Sequence, residues 1–158
     1  MLKMKNITKL FLYLNLCLTL LACSKISPKG EIEVKDVTVE NFTKLNLKGD
    51  FKVFFAKGNQ NLVSVETYPN VYKNLDIEVE NGILSIEENR KTDQVDFYNI
   101  TIFGKNDLNE VSLSDKVEMN VSGQVKTPEF SLHLKGNSKF MGAVIAPKSK
   151  IEMAEKSN

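Results

Sequence analysis

Two thiols and one imidazole are the groups in this sequence best suited to covalent or metal chemistry: Cys17, Cys23 and His133. His133 stands between Leu132 and Leu134, so strand alternation puts it on an outward face. With no second histidine it reads as a surface residue rather than a base or a ligand. No zinc set, nucleophile elbow or phosphate loop can be assembled, and Gly49, Gly58 and Gly82 are separate turn residues. A parallel β-helix can carry polysaccharide-cleaving sites, which need acids converging from neighbouring coils. Asp115, Glu118 and Asn120 fall close together, and Asn137 and Glu152 follow later. No position pairs two acids on successive coils, and Lys116, Lys135 and Lys139 surround them, so they read as a solvated face. Tyr68, Tyr72, Phe97 and Tyr98 flank loops; clustered, they would make an aromatic platform for a sugar, and dispersed, they would cap the ends of a core. The expectation is a protein with no catalytic residues, no metal and no cofactor.

The elements that must position these residues are strands. Leu75 to Glu88 reads LDIEVENGILSIEE, and Asn81-Gly82 is a strong hairpin signal because both residues tolerate the positive φ of a type I′ turn. A two-residue loop pairs Val79 with Leu84 and Ile77 with Ile86 on one face, and Glu78 with Ser85 on the other. Upstream, Ile32 and Val34 alternate out of phase with Val37 and Val39, which predicts a bulge or turn near Lys35-Asp36. Leu45 and Leu47 alternate, Gly49-Asp50 turns the chain, and Phe51, Val53 and Phe55 share a face from which Phe54 points away. Tyr68-Pro69-Asn70 interrupts the sheet, with room for a short helical turn before the hairpin. Nowhere do apolar residues recur at helical spacing over three turns, so no helix of any length is expected.

The last fifty residues carry a repeat. Val111-Ser112-Leu113 recurs as Leu132-His133-Leu134 and again as Ile151-Glu152-Met153. Met119 has its counterpart in Phe140, Val125 in Ile145, and Pro128 and Pro147 each precede a strand. A coil period of about 20 residues with small polar corners predicts parallel stacking in a short β-solenoid; ordinary antiparallel hairpins are the alternative. The fold class expected is all-β, a β-rich leading region with a hairpin followed by that solenoid. The third coil begins at Ile151 and Met153, so Ile145, Ile151 and Met153 are expected to be partly open. Self-association through this end follows as an expectation.

The first residues read as an export signal. Lys3, Lys5 and Lys9 precede an apolar run from Leu10 to Leu21, too short to span a bilayer. Without those lysines the formal net charge of +1 turns mildly acidic, which gives no reason to propose nucleic acid as a partner. The run ends in Leu20-Leu21-Ala22-Cys23, which resembles the bacterial lipoprotein lipobox. The resemblance implies cleavage between Ala22 and Cys23 and acylation of the Cys23 thiol, with two or more chains giving stable membrane anchoring. Cys17 would leave with the signal, and the mature chain would hold no thiol. The domain reading is a signal peptide over 1–22, a tether over 23–30 and a single β domain over 31–158. An acidic cluster after the lipidated cysteine directs some Bacteroidetes-type lipoproteins to the cell surface. Lys25 stands there instead, which points to the periplasmic side of the outer membrane.

Taken together, Phe42, Leu45, Leu47, Gly49, Phe51, Val53, Gly58, Val65, Val79, Gly82, Leu84 and Ile86 resemble the head GIN domain of the putative auto-transporter adhesin family. The likeness runs from about Asp36 to Asn158. It implies a β-rich leading region followed by a right-handed single-stranded β-helix, with no established catalytic residues. Family members usually continue for further coils and close with glycine-rich segments; this chain stops at Asn158, as a truncated member would, and its corner at Asp115-Lys116 lacks the expected glycine. The function the resemblance implies is a non-catalytic, membrane-anchored envelope protein binding a glycan or a protein through its sheet faces. A polysaccharide-processing enzyme on the same scaffold and a periplasmic structural or envelope-stress component are the other readings.

Overall fold

The computed structural model describes residues 25–155. The expected export signal, the expected cleavage position Ala22 and the acylation candidate Cys23 lie outside them. The described chain is almost all strand. It forms β1 (Glu33–Thr38), β2 (Lys44–Gly49), β3 (Lys52–Lys57) and β4 (Leu62–Thr67). A single helical turn, α1 (Pro69–Tyr72), leads into the hairpin β5 (Leu75–Glu80) and β6 (Ile83–Glu88). Then come β7 (Asn99–Gly104), β8 (Glu110–Asp115), β9 (Glu118–Lys126), β10 (Glu129–Gly136), β11 (Lys139–Ile145) and β12 (Lys148–Glu155). α1 is the short helical turn for which the sequence left room before the hairpin; Pro69 starts it with a preset φ, and Val71 is buried beneath it.

The strands form two mixed six-stranded sheets, ordered β1-β4-β7-β3-β9-β11 and β12-β10-β8-β2-β6-β5. The hairpin has the expected register, with Val79 on Leu84 and Ile77 on Ile86. Asn81 and Gly82 supply φ of 52° and 76°. The C-terminal repeat is a parallel stack: Val111 pairs with Leu132 and Leu132 with Ile151, and in the other sheet Met119 pairs with Phe140.

Three details differ from the sequence expectation. Val125 pairs with Val144, not Ile145, because β9 carries extra residues around Gly123, whose φ is 85°, so the ladder slips between Met141 and Ala143 and Ile145 turns outward. β1 pairs with β4 without interruption from Glu33 to Thr38, so there is no bulge at Lys35-Asp36. Val34 faces solvent because β1 is an edge strand, and an edge strand need not bury every apolar residue. Residues 26–29 are docked on the fold: Ile26 bonds Lys91 and Asp93 through its backbone and packs against the core, and Asn70 holds Lys29 and Ser27.

Parallel stacking also extends where no repeat was visible. Leu45 and Leu47 of β2 lie in register with Leu84 and Ile86 on one side and with Val111 and Leu113 on the other. Val53 and Phe55 of β3 do the same between Ile100/Ile102 and Met119/Val121. The corner-linked pairs therefore stack as β6/β7, β2/β3, β8/β9 and β10/β11, with β12 beyond. Antiparallel β5, β4 and β1 close the first end. Between the sheets Leu45, Leu47, Phe55, Leu84, Ile86, Ile100 and Met119 fill a single core.

The corners explain how the stack keeps register without a glycine at every turn. Gly49 is the Cα partner of Asp115, and Gly136 that of Glu155. Asp115, Gly136 and Glu155 have φ of 64°, 71° and 67°. The Lys116 and Asn137 N–H groups donate to the carbonyls of Gly49 and Asp115 at 2.9 and 2.7 Å, so each corner is bonded to the one before. Asp115 takes the left-handed conformation itself, which its short polar side chain tolerates.

Candidate functional site

The outward side chains of the second sheet come from alternate positions, so the strand register alone decides who neighbours whom. One row crosses all six strands: Glu78, Ser85, Asn46, Ser112, His133 and Glu152. Neighbouring members come from adjacent strands, about 4.8 Å apart. Asn46 donates to Glu87 at 3.0 Å, and the His133 ring meets Glu152 at 2.7 Å. Between them, among the described residues, the Ser85 and Ser112 hydroxyls make no side-chain hydrogen bond. Ion pairs frame the row: Lys44 with Glu110 at 3.0 Å, Lys48 with Glu87 at 3.8 Å and Lys150 with Glu152 at 2.6 Å. The Glu152 carboxyl is held below its ordinary value, first by the Lys150 hydrogen bond and then by His133.

Two shallow troughs follow this row. One, about 380 Å³, is bordered by Asn46, Ser112, Ser114, His133, Lys135 and Glu152. The other, about 250 Å³, continues it past Ser85 to the hairpin. The face is rich in hydroxyl, amide and paired charged groups, so it suits hydrogen bonding to an extended polar ligand lying across the strands. The acids around the first coil are engaged elsewhere: Glu118 is paired with Lys139 at 2.6 Å and Asp50 with Lys116 at 2.7 Å. Among the described residues no three histidine, cysteine or acidic side chains cluster to hold a metal.

The four aromatic residues do not share one surface. Tyr98 is 4% exposed and packs its ring 5.4 Å from that of Phe51, so it belongs to the core. Its hydroxyl is buried beside the Glu88 carboxyl. Burial is the main cause raising both groups above their ordinary values. Tyr68 donates to Asp96 at 2.8 Å, next to exposed Phe97, whose carbonyl accepts from Thr67. Tyr72 packs against the core from α1. Of the four, Phe97 is exposed, and Tyr68 lies half-buried against the core beside it.

His133 sits on the outward face, as the alternation predicts, and the visible repeat aligns it with Ser112 and Glu152. Asn46 and Ser85 were not identifiable in advance, because β2 and β6 join the stack out of chain order. No periodic signal links residues so unevenly spaced.

Comparisons with known proteins agree with this architecture. The sequence model of a family described as putative auto-transporter adhesin, head GIN domain, matches residues 41–158. Among solved structures, a putative adhesin from Bacteroides fragilis superposes with a TM-score of 0.76 at 14% identity, covering 84% of this chain and 62% of that one. A putative adhesin from Parabacteroides merdae gives 0.72 at 15%, covering 83% and 56%. A protein described as a putative lipid binding protein, from Parabacteroides distasonis, gives 0.64 at 18%, covering 81% and 63%. At these identities the likeness is one of fold, and this chain spans less than two thirds of each of those three. Among curated proteins, no sequence matches.

Proposed function

Since the chain belongs to the head GIN domain family of putative auto-transporter adhesins, we propose that it is a non-catalytic, lipid-anchored envelope protein that binds a glycan along the outer face of its second sheet. The observation that carries this reading is the row Ser85, Asn46, Ser112 and His133, held in register across four parallel strands. Unengaged hydroxyls at strand spacing, flanked by paired charges, match the hydroxyl-rich edge of an extended saccharide better than an apolar surface. The interior is packed by its own side chains, so a ligand meets the outside of the sheets.

The scaffold in this reading is a short right-handed β-solenoid. Its support is the parallel stack with recurring corners, together with the rule that parallel crossovers are right-handed. The anchor is Cys23, whose lipid is supported by the lipobox resemblance. Two residues, Ser24 and Lys25, separate Cys23 from docked Ile26, a reach of about 10 Å over three steps of the chain. The fold would therefore ride close to the membrane, with the Lys25–Asp93 corner nearest to it. The periplasmic side of the outer membrane remains the expected location, and protease treatment of intact cells tests it.

The binding test is a glycan microarray probed with the full chain carrying Cys23→Ser, beside a variant with Asn46→Arg and Ser112→Arg. The two arginines cover the row without touching the core. Binding by the parent that falls at least about tenfold in the variant supports the proposal. Absence of binding by the parent, or binding that ignores the arginines, overturns it.

A further inference from the structure

The segment at Ile26 joins the fold in a fixed direction. Ile26 forms a parallel bridge with Thr92. Its N–H donates to the Lys91 carbonyl and its carbonyl accepts from the Asp93 N–H, both at 2.9 Å. Because the bridge is parallel, the chain comes to Ile26 from the side of Lys91 and Arg90. Beyond it, the Asn70 side chain accepts from the Lys29 N–H at 2.8 Å and donates to the Ser27 carbonyl at 2.9 Å. Buried Asn74 donates to the Arg90 carbonyl at 2.6 Å and accepts from the Arg90 N–H at 3.0 Å. These bonds gather Lys29, Lys73, Arg90 and Lys91 around one corner, where β5 starts and β6 ends.

All four side chains are exposed, and among the described residues none makes an ion pair or a hydrogen bond. Residues 1–24 contain no Asp or Glu that could neutralise them. The acids beside them are engaged: Asp93 with Lys25 at 3.2 Å, Asp50 with Lys116 at 2.7 Å, and Glu88 with the Asp50 N–H and the Thr92 hydroxyl. At the other edge of the sheets charges cancel in pairs, Lys44 with Glu110, Lys57 with Asp107 and Lys148 with Glu129. The cationic corner lies beside β5 and β6, at the opposite end of the second sheet from β12.

We propose that this corner is a membrane-contact surface, on which Lys29, Lys73, Arg90 and Lys91 rest against the headgroups of anionic phospholipids. The proposal rests on the acyl anchor at Cys23, which stands two chain steps from Lys25, a reach of about 7 Å. Attraction to a charged surface fades over a Debye length of about 8 Å at physiological salt, so the anchor holds these cations within its range. A lipid chain fixes where the domain sits and leaves its tilt free. Cations gathered on one corner fix the tilt as well, since each gains only when turned toward the anionic surface. The strands of the second sheet then stand upright on the bilayer with β5 starting at its surface. The row Ser85, Asn46, Ser112 and His133 crosses those strands, so it runs level with the membrane and faces sideways, clear of the lipid.

The experiment uses the acylated protein extracted from membranes and placed in vesicles. Cys17 leaves with the signal and Cys23 carries the lipid, so an engineered thiol is the only free one. Asp76→Cys and Glu80→Cys place it on the same outer face of β5, about 13 Å apart along the strand. Each takes a fluorophore, and a nitroxide on the lipid headgroup quenches the one that lies closer to the surface. In vesicles of phosphatidylcholine with phosphatidylglycerol, the label at position 76 should be quenched at least about twofold more than the label at position 80. That ratio should fall toward one in pure phosphatidylcholine and in about 1 M salt, where the Debye length shrinks to about 3 Å. It should fall likewise when Lys29→Gln, Lys73→Gln, Arg90→Gln and Lys91→Gln are combined, with the thermal melt unchanged. Equal quenching of the two labels on anionic vesicles overturns the proposal. So does a ratio that survives salt and the four glutamines, which would leave the tether alone to set the tilt. Recovery of protein without acyl chains is a separate result: it removes the anchor, and the contact with it.

Discussion

Asp115 and Gly136 close the neighbouring parallel strands β8 and β10, and a Cβ on Gly136 would lie 2.7 Å from the carbonyl oxygen of Asp115. That oxygen already accepts the Asn137 N–H at 2.7 Å, so it has no freedom to retreat. Gly136→Ala meets both a positive φ and a backbone clash. It should destabilise the protein by about 1–3 kcal/mol or more. Asp115→Gly removes the strained residue and should stay within about 1 kcal/mol of the parent. Urea melts of the two variants check this: equal midpoints would show that the corners are not bonded in series.

The hairpin turn makes a different demand. Nothing lies within 4 Å of a Cβ built on Gly82, so space is free and only its φ of 76° resists substitution. Gly82→Val should cost about 1–3 kcal/mol through backbone strain alone, and Glu80→Ala, beside the turn on an edge strand, much less. A urea midpoint for Gly82→Val that matches Glu80→Ala would remove the type I′ turn from the account.

Glu88 gives a pH signature. Its carboxyl accepts from the Asp50 N–H and the Thr92 hydroxyl, yet burial raises it above the ordinary 4.5. The folded state therefore binds this proton more tightly than the unfolded chain. The contribution is present at low pH and is lost as pH rises through the folded value. Glu88→Gln, which does not titrate, should gain stability relative to the parent as pH rises from the ordinary carboxylate range through the folded value. A difference that stays constant or shrinks over that range contradicts the burial of this carboxyl.

The anchor is tested at its own residue. Cys23→Ser should release the protein from membranes and abolish incorporation of a fatty-acid probe. Continued membrane fractionation with label retained would mean that another residue carries the lipid.

The hairpin, the C-terminal repeat and the outward placement of His133 were legible in the sequence because each rests on local alternation. Asn81-Gly82 sets a register by itself, and Leu132-His133-Leu134 repeats Val111-Ser112-Leu113 closely enough to show parallel stacking. The position of β2 between β6 and β8 was not legible: its partners lie far downstream at unequal distances, and nothing in KLNLKG distinguishes it from a hairpin strand. For the same reason the polar row across the second sheet could be read only in part, as Ser112, His133 and Glu152. Tyr98 looked like a loop aromatic because its environment is supplied by Phe51, from a distant part of the chain.

The disagreement between chain order and stacking order bears on how the protein is made. The pair β2/β3 is synthesised early, yet its two sides are covered only by β6/β7 and β8/β9, which follow later. As the chain is made, Leu45, Leu47, Val53 and Phe55 emerge with both strand edges unpaired, and they wait for partners far downstream: Val111 and Leu113 for the first two, Met119 and Val121 for the others. High contact order of this kind slows folding and lengthens the time in which a bare β-strand can meet the wrong neighbour. The pair β2/β3, the best protected part of the finished molecule, is therefore the part left bare longest while the chain is being made.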